Sequence, residues 1–327
     1  SGATLVNEGT LQLSRMPSGI TALWHFNNSG NVGLDSSTNG NNLIAASGAP
    51  AFSTNSVFGG SLYLDGSSTL TGATFPKGIP TGNTPYTIAL WEKDNGSPAN
   101  GGFVGWGTSS SGNKANNLRF NGSNALLNYW YGNDLSVSGL SVKDGNWHHI
   151  AVTWDGYNQT MFVDGAAVTN TTRTGLNVGT TSFVVGKTLN DVAFKGWMDD
   201  LLIANRALGQ TEIQSAMGNG YMDANARPLP VNTALAIASG ATLDLNGNRQ
   251  TVASLQGSGS VTGGVLSVTA SLAPGGTNAI GTLTVYDDLA LGENAAIDWN
   301  YGDNGTRDLV SVNGSLSLPA AAKLFVG

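Results

Sequence analysis

Asn146-Trp147-His148-His149-Ile150-Ala151-Val152-Thr153-Trp154-Asp155-Gly156, followed by Thr160-Met161-Phe162-Val163-Asp164-Gly165, decides the fold. Ile150, Val152 and Trp154 alternate with Ala151 and Thr153, a period of two that puts apolar groups on one sheet face. Asp155-Gly156 and Asp164-Gly165 are turn pairs: Gly takes positive φ without steric cost, and Asp bonds its own backbone. The stretch predicts a strand, a short turn, a second strand and a tight turn into Ala166-Val168. A ribbon with large apolar groups on one face needs a second sheet to cover it.

Similar alternating runs lie on either side. Ile20-Thr21-Ala22-Leu23-Trp24-His25-Phe26, Ser61-Leu62-Tyr63-Leu64-Asp65-Gly66 and Tyr86-Thr87-Ile88-Ala89-Leu90-Trp91 all read as strands. Leu34-Asp35-Ser36-Ser37-Thr38-Asn39-Gly40-Asn41-Asn42 reads as a polar loop. Gly196-Trp197-Met198-Asp199-Asp200-Leu201-Leu202-Ile203-Ala204-Asn205-Arg206-Ala207-Leu208 closes the series, before a short helix near Thr211-Glu212-Ile213. The W-H-H-I-A-x-T hairpin, the D-S-S-x-N-G-N loop, the S-L-x-L-D-G strand and the G-x-M-D-D-L end resemble the laminin-G-like family of concanavalin A-like jelly rolls. The resemblance runs in order over about two hundred residues. It implies a jelly-roll sandwich over 17–222 whose first and last strands are neighbours, a form easily inserted in another fold.

Composition agrees with an all-β chain. Among 327 residues there are 46 Gly, 11% charged side chains and few helical patterns. With no Cys, disulfides and thiolate metal sites are excluded. The net charge of −7 argues against nucleic acid, and no apolar run reaches the 18 residues of a membrane helix. The start at Ser1 and the end at Lys323-Leu324-Phe325-Val326-Gly327 read as a piece excised from a longer chain.

Seven of the eight Trp fall within 17–222, and the flanks differ. Ser1-Gly2-Ala3-Thr4-Leu5 recurs as Ser239-Gly240-Ala241-Thr242-Leu243, which suggests one domain inserted in another. Residues 223–327 read as short Val/Leu/Ile strands with turns every eight to twelve residues. Ser271-Leu272-Ala273-Pro274-Gly275-Gly276 and Asp308-Leu309-Val310-Ser311-Val312-Asn313-Gly314 resemble the strand repeats of autotransporter-type passenger domains. That resemblance implies right-handed parallel β-helix segments at 1–16 and 223–327, packed together because each rung buries its face only on a neighbour. A mixed β-sandwich is the alternative for the C-terminal part.

Two sites are expected. Asp35, Asn39 and Asn41 could supply oxygens to Ca²⁺. The laminin-G-like resemblance adds a structural calcium ion where this loop meets Asp199 and Asp200. Adjacent strand residues face opposite ways, so one of the two acids should point at the ion. The plain alternative is an Asx-turn loop. For a ligand, Tyr129-Trp130-Tyr131 cannot all enter one core, so at least one ring should face out. Exposed rings beside Asn133 suit sugars, which stack an apolar face and hydrogen-bond at their edges, and Trp106 is a second platform. Packing of the two sheets is the plain alternative.

Catalysis finds little footing. Concanavalin-type glycosidases carry paired Glu on one strand, whereas Glu8, Glu92, Glu212 and Glu293 are scattered. The expectation is a non-catalytic recognition module at a bacterial surface of Gram-negative type, binding glycan or extracellular glycoprotein beside flanking passenger repeats. A structural spacer and an accessory module of a larger enzyme are the alternatives.

Overall fold

Trp147–Trp154 and Asn158–Val163 pair antiparallel, Ile150 opposite Val163 and Trp154 opposite Gln159. The Asp155 carboxylate accepts the amides of Tyr157 and Asn158 at 2.8 and 2.6 Å, which closes the first turn. Asp164 and Gly165 both have positive φ, 49° and 74°, as a type I′ hairpin turn requires. This computed structural model describes residues 3–13, 17–109, 111–219, 229–319 and 323–326. The chain divides into two units, Met16–Asn225 and Ser1–Arg15 with Ala226–Gly327.

The larger unit is an all-β sandwich with almost no helix. One sheet runs in the order Ala166–Thr172, Asn158–Val163, Trp147–Trp154, Tyr86–Asp94, Lys195–Ala204, Ser61–Asp65 and Ala51–Ser53. Ile20–Trp24 also pairs with Lys195–Ala204, so the first long strand lies beside the last. The second sheet runs Leu135–Val137, Leu126–Tyr129, Ala115–Phe120, Gly101–Gly107, Ser182–Val185, Thr69–Gly72 and Leu43–Ser47. Ile88, Leu90, Ile150, Val152 and Trp154 of the first sheet form one buried cluster with Val104, Trp106, Leu118, Phe120 and Trp130 of the second. The first sheet is apolar on its other face too. There Leu23, Ala89, Ala151, Phe162, Leu202 and Ala204 pack with Ile213 and Ala216 of the helix Gln210–Asn219, small alanines leaving room for a helix. No helix among the described residues is long and apolar enough to cross a membrane.

The smaller unit is built of parallel strands. Thr4–Val6, Ala234–Ile237, Arg249–Gly257, Val265–Pro274, Asp288–Leu291 and Leu316–Ser317 make one sheet, which Ala296–Trp299 and Lys323–Val326 join. Thr10–Gln12, Thr242–Asp244, Ser260–Thr262, Thr282–Val285 and Leu309–Val312 make the other. Leu235, Leu243, Leu255, Val261, Leu266, Leu283 and Leu289 share one core. The sequence repeat is not the structural one: Thr242-Leu243 pairs with Thr10-Leu11, while Thr4 lies opposite Leu235.

Candidate functional site

The strand Leu126–Tyr129 lies in the second sheet and is buried up to Tyr129, which is its one partly exposed residue. Leu126 and Asn128 are fully buried, and Trp130 just beyond them is fully buried as well. Trp130, expected at the centre of a ligand platform, is therefore a core residue. Its ring meets Trp154 edge-on at 5.2 Å, and its Nε1–H donates to the Tyr86 hydroxyl at 3.2 Å. Trp106 is corrected in the same way: it lies fully buried opposite Asn116, and its Nε1–H donates to the Pro80 carbonyl at 2.7 Å. Both indoles find an apolar surround and a polar partner inside, which removes any reason to face water.

Alternation leaves the two tyrosines. Tyr129 and Tyr131 are half-buried, their ring centroids 4.4 Å apart at 47°. Tyr131 takes φ 64°, in a turn where the Asp134 carboxylate accepts the amides of Trp130 and Gly132. Asn133 fixes the same turn: its side chain donates to the Thr174 carbonyl at 2.9 Å, and its amide donates to Asn113 Oδ1 at 3.1 Å. The Arg119 guanidinium lies 4.8 Å from the Tyr129 centroid, and its Nε is 3.3 Å from Asp191 Oδ2. Asp191 also accepts the Thr188 hydroxyl, and Asn117 Nδ2 donates to the Tyr129 carbonyl at 3.1 Å. Burial, and then the Asp134 charge, pushes the Tyr129 phenol up, so it is a hydrogen-bond donor at neutral pH. The surface can stack a ring on tyrosine and bond its edge to phenol and amide groups.

Arg119, Asp191 and Asn117 were not among the expected residues. In Ala115–Phe120 the core residues Leu118 and Phe120 alternate with the polar Asn117 and Arg119, which are buried as well. That these two meet Tyr129 depends on the cross-strand register, which pairs Asn117 with Tyr129.

A strap at 187–189 crosses the strand beside them. A Cβ at Gly102 would come within 2.3 Å of the Thr188 nitrogen and 2.7 Å of the Lys187 carbonyl carbon. Gly102→Ala must therefore push the strap off and loosen Asp191 from Arg119. We expect it to cost about 2–3 kcal/mol, as overpacking does, read as a lower Tm than that of wild type.

The first loop is held by protein donors. Asp35 Oδ1 accepts the amides of Leu23 and Ser37, both at 2.9 Å, and Oδ2 accepts the Asn41 amide at 2.7 Å and the Ser37 hydroxyl at 2.6 Å. Asn41 Oδ1 accepts the Lys77 amide, while its Nδ2 donates to the carbonyls of Thr21 and Lys77. Asn39 Nδ2 donates to the Thr21 carbonyl at 2.8 Å. Asp199 and Asp200 sit where the register of Lys195–Ala204 shifts against Tyr86–Asp94. Asp199 Oδ2 accepts the amides of Val57 and Phe58, at 2.8 and 2.9 Å; Asp200 bonds the His25 ring. Burial, then the neighbouring Asp200, pushes Asp199 up to about 7.

These side chains, as placed, do not fit Ca²⁺. An ion at Asp35 would displace four donors, and Asp199 and Asp200 are engaged with different segments of the chain. Among the described residues no group of three or more His, Asp or Glu could hold a metal.

The four glutamates are dispersed. Glu92 is fully buried on the sheet row opposite His148 and Met198, and burial pushes its carboxyl well above the usual range. Glu212 is held by Arg206, Nη1 to Oε2 at 2.8 Å, while Glu8 and Glu293 belong to the smaller unit. His149 is buried edge-on to Trp91 and pushed down to about 4 by burial, so it is neutral at pH 7.

Residues 65–214 match the family model of the concanavalin A-like lectin/glucanases superfamily. The match spans the whole hairpin at 147–163 and the tyrosine pair. No curated protein matches the chain. Among solved structures, it is similar to domain 4 of a GH43 extracellular arabinanase from Geobacillus stearothermophilus, solved with arabinotriose. Identity is 19% and the TM-score 0.49, over 60% of this chain and 96% of that one. The binding domain of Paraclostridial mosquitocidal protein 1 gives 14% identity and a TM-score of 0.45, over 58% of this chain and 50% of that one. A mutant Trypanosoma rangeli sialidase gives 14% and 0.45, over 62% of this chain and 33% of that one.

Proposed function

We propose that the larger unit is a non-catalytic recognition module that binds glycan, free or on a glycoprotein, through Tyr129 and Tyr131. The observation that carries this reading is the half-exposed tyrosine pair backed by Arg119 and Asn117 on the outer face of the second sheet. The rings offer an apolar surface for the C–H face of a sugar, and the phenols, the Asn133 side chain and Asp191 offer partners for its hydroxyls. The match of residues 65–214 to a superfamily described by lectins and glucanases supports the same class. The reading requires no calcium ion.

The smaller unit suits a supporting role. Its strands pair parallel and in register, alternately contributing to two sheets around one core, which supports a parallel β-helix stalk of the autotransporter-passenger type. In that setting the whole chain is an adhesin-like segment exported to a bacterial surface.

Glycan-array binding followed by calorimetry tests the platform. Against the best neutral or anionic glycan found, Tyr129→Ala with Tyr131→Ala should weaken binding about tenfold or more, since stacking is worth about 1–2 kcal/mol. Unchanged affinity in a folded double variant would remove the platform from the function.

A further inference from the structure

Residues 25–36 follow the first strand of the larger unit and enclose a cleft of about 390 Å³, lined by His25, Asn28, Ser29, Asn31, Leu34 and Ser36 among others. We propose that this cleft is a second binding site, for one neutral sugar residue, independent of the tyrosine platform. Its volume falls within the range of small-molecule sites.

The rim is built in advance. Asn28 Oδ1 accepts the amides of Gly30 and Asn31 at 2.9 and 3.0 Å, and the Leu34 amide donates to the Asn31 carbonyl at 3.2 Å. Asn27 Oδ1 accepts the Gly60 amide at 2.6 Å, tying the rim to a neighbouring loop. The Ser36 amide donates to the Leu23 carbonyl at 2.8 Å and returns the chain to the sheet.

Backbone strain lies at the cleft, which Phe26 lines, and beside it at Asp200. Phe26 and Asp200 both adopt left-handed backbone, φ 58° and 48°, although neither is glycine and both are buried. Each such residue costs about 1–3 kcal/mol and persists where surrounding contacts enforce it, most often at ligand sites and clamps. Here the bond between His25 Nδ1 and Asp200 Oδ1 ties the residue just before Phe26 to the second strained position.

The lining chemistry selects the ligand. His25 is the one lining group that can carry charge, and it is already bonded to a carboxylate, so neither an anion nor a cation is favoured. Among the described residues, the side chains of Ser29, Asn31 and Ser36 make no hydrogen bond to protein. They stand beside Val32 and the exposed Leu34, so hydroxyl and amide groups adjoin an apolar surface. A neutral polyhydroxylated ring, with hydrogen-bonding edges and a C–H face, answers both features.

The test is amide-shift perturbation of the intact chain by glucose, galactose and arabinose, with glucuronate and N-acetylneuraminate as anionic controls. A neutral sugar should shift amides of residues 25–36. Leu34→Trp, which fills the cleft from an exposed position, should weaken that response at least tenfold. Ser29→Ala with Asn31→Ala, both on the exposed rim, should weaken it several-fold, and the double tyrosine variant should leave it unchanged. The proposal is overturned if no neutral sugar perturbs these amides at about 50 mM, well above a millimolar Kd. It is equally overturned if the anionic sugars bind as well as the neutral ones, if Leu34→Trp changes nothing, or if the tyrosine variant abolishes the response. That last outcome leaves the platform as the sole site, whereas loss of platform binding alone leaves the cleft intact.

Discussion

Asp35→Ala should destabilise the larger unit by about 3–5 kcal/mol, and by the same amount in EDTA and in millimolar Ca²⁺. The carboxylate accepts three backbone amides and one hydroxyl, and Asp35, Ser37 and Asn41 are all buried. Alanine leaves those amides facing a small void, and each buried donor without a partner costs about 1–3 kcal/mol. Partial entry of water keeps the total below the simple sum. Asp35→Asn should cost less, because its oxygen still serves two donors while its amide group faces the other two. A bound ion makes the opposite demand. At a calcium concentration 100-fold above Kd, occupancy would stabilise wild type by about 2.7 kcal/mol and leave Asp35→Ala unaffected. Thermal unfolding of both chains, with and without calcium, separates the cases. A calcium-dependent rise in Tm that the substitution abolishes would restore the ion to the loop.

The Asp35 loop shows where sequence reasoning stops. Oxygen-bearing side chains on alternate residues describe a cation cage and an Asx hub equally well, because both organise a loop around a carboxylate. Only the directions of the amides of Leu23, Ser37 and Asn41 distinguish them, and those depend on a strand twelve residues earlier in the chain. The hairpin at 147–163 was legible because alternation and Asp-Gly turns are local signals. Tyr129-Trp130-Tyr131 was half legible. Alternation required outward rings, but choosing between one tryptophan and two tyrosines needed the inward partners Tyr86 and Trp154. Arg119 stayed hidden for a related reason: its place over Tyr129 follows from cross-strand register. In the smaller unit the Thr-Leu steps at 4, 10 and 242 look alike, and nothing local tells which pair will lie side by side. The left-handed Phe26 left no signal in residue type, and Asp200 only a weak one, since Asp tolerates that backbone better than most residues but is far more often extended or helical.

Asp199→Asn should stabilise the larger unit at pH 8 by about 2–4 kcal/mol and have almost no effect at pH 4. Asp199 is fully buried, one oxygen accepts the amides of Val57 and Phe58, and the other has no partner. Burial, reinforced by Asp200, raises its pKa from the ordinary 3.8 to about 7. Below pH 3.8 the folded and unfolded chains both hold the proton, and the group contributes nothing to the difference. Between about 4 and 7 the unfolded chain has lost the proton while the folded chain keeps it, so stability falls as pH rises. Above 7 the charge sits in the fold and the full penalty is present. About three pH steps at about 1.4 kcal/mol each set an upper bound near 4 kcal/mol. Asparagine is neutral throughout, and its oxygen can still accept the two amides. His149 acts with the opposite sign: buried and neutral, with its pKa lowered to about 4, it removes stability as pH falls from about 6.5 toward 4. That contribution is common to both chains and cancels when they are compared. Seven of the eight tryptophans lie in the larger unit, so urea unfolding followed by tryptophan fluorescence reports on it. The stability gain of Asp199→Asn should grow steadily from pH 4 to pH 7.5 and then level. A gain that does not change with pH would mean that the fold does not raise the Asp199 pKa, and a loss at pH 8 would mean that the ionised carboxylate serves the fold.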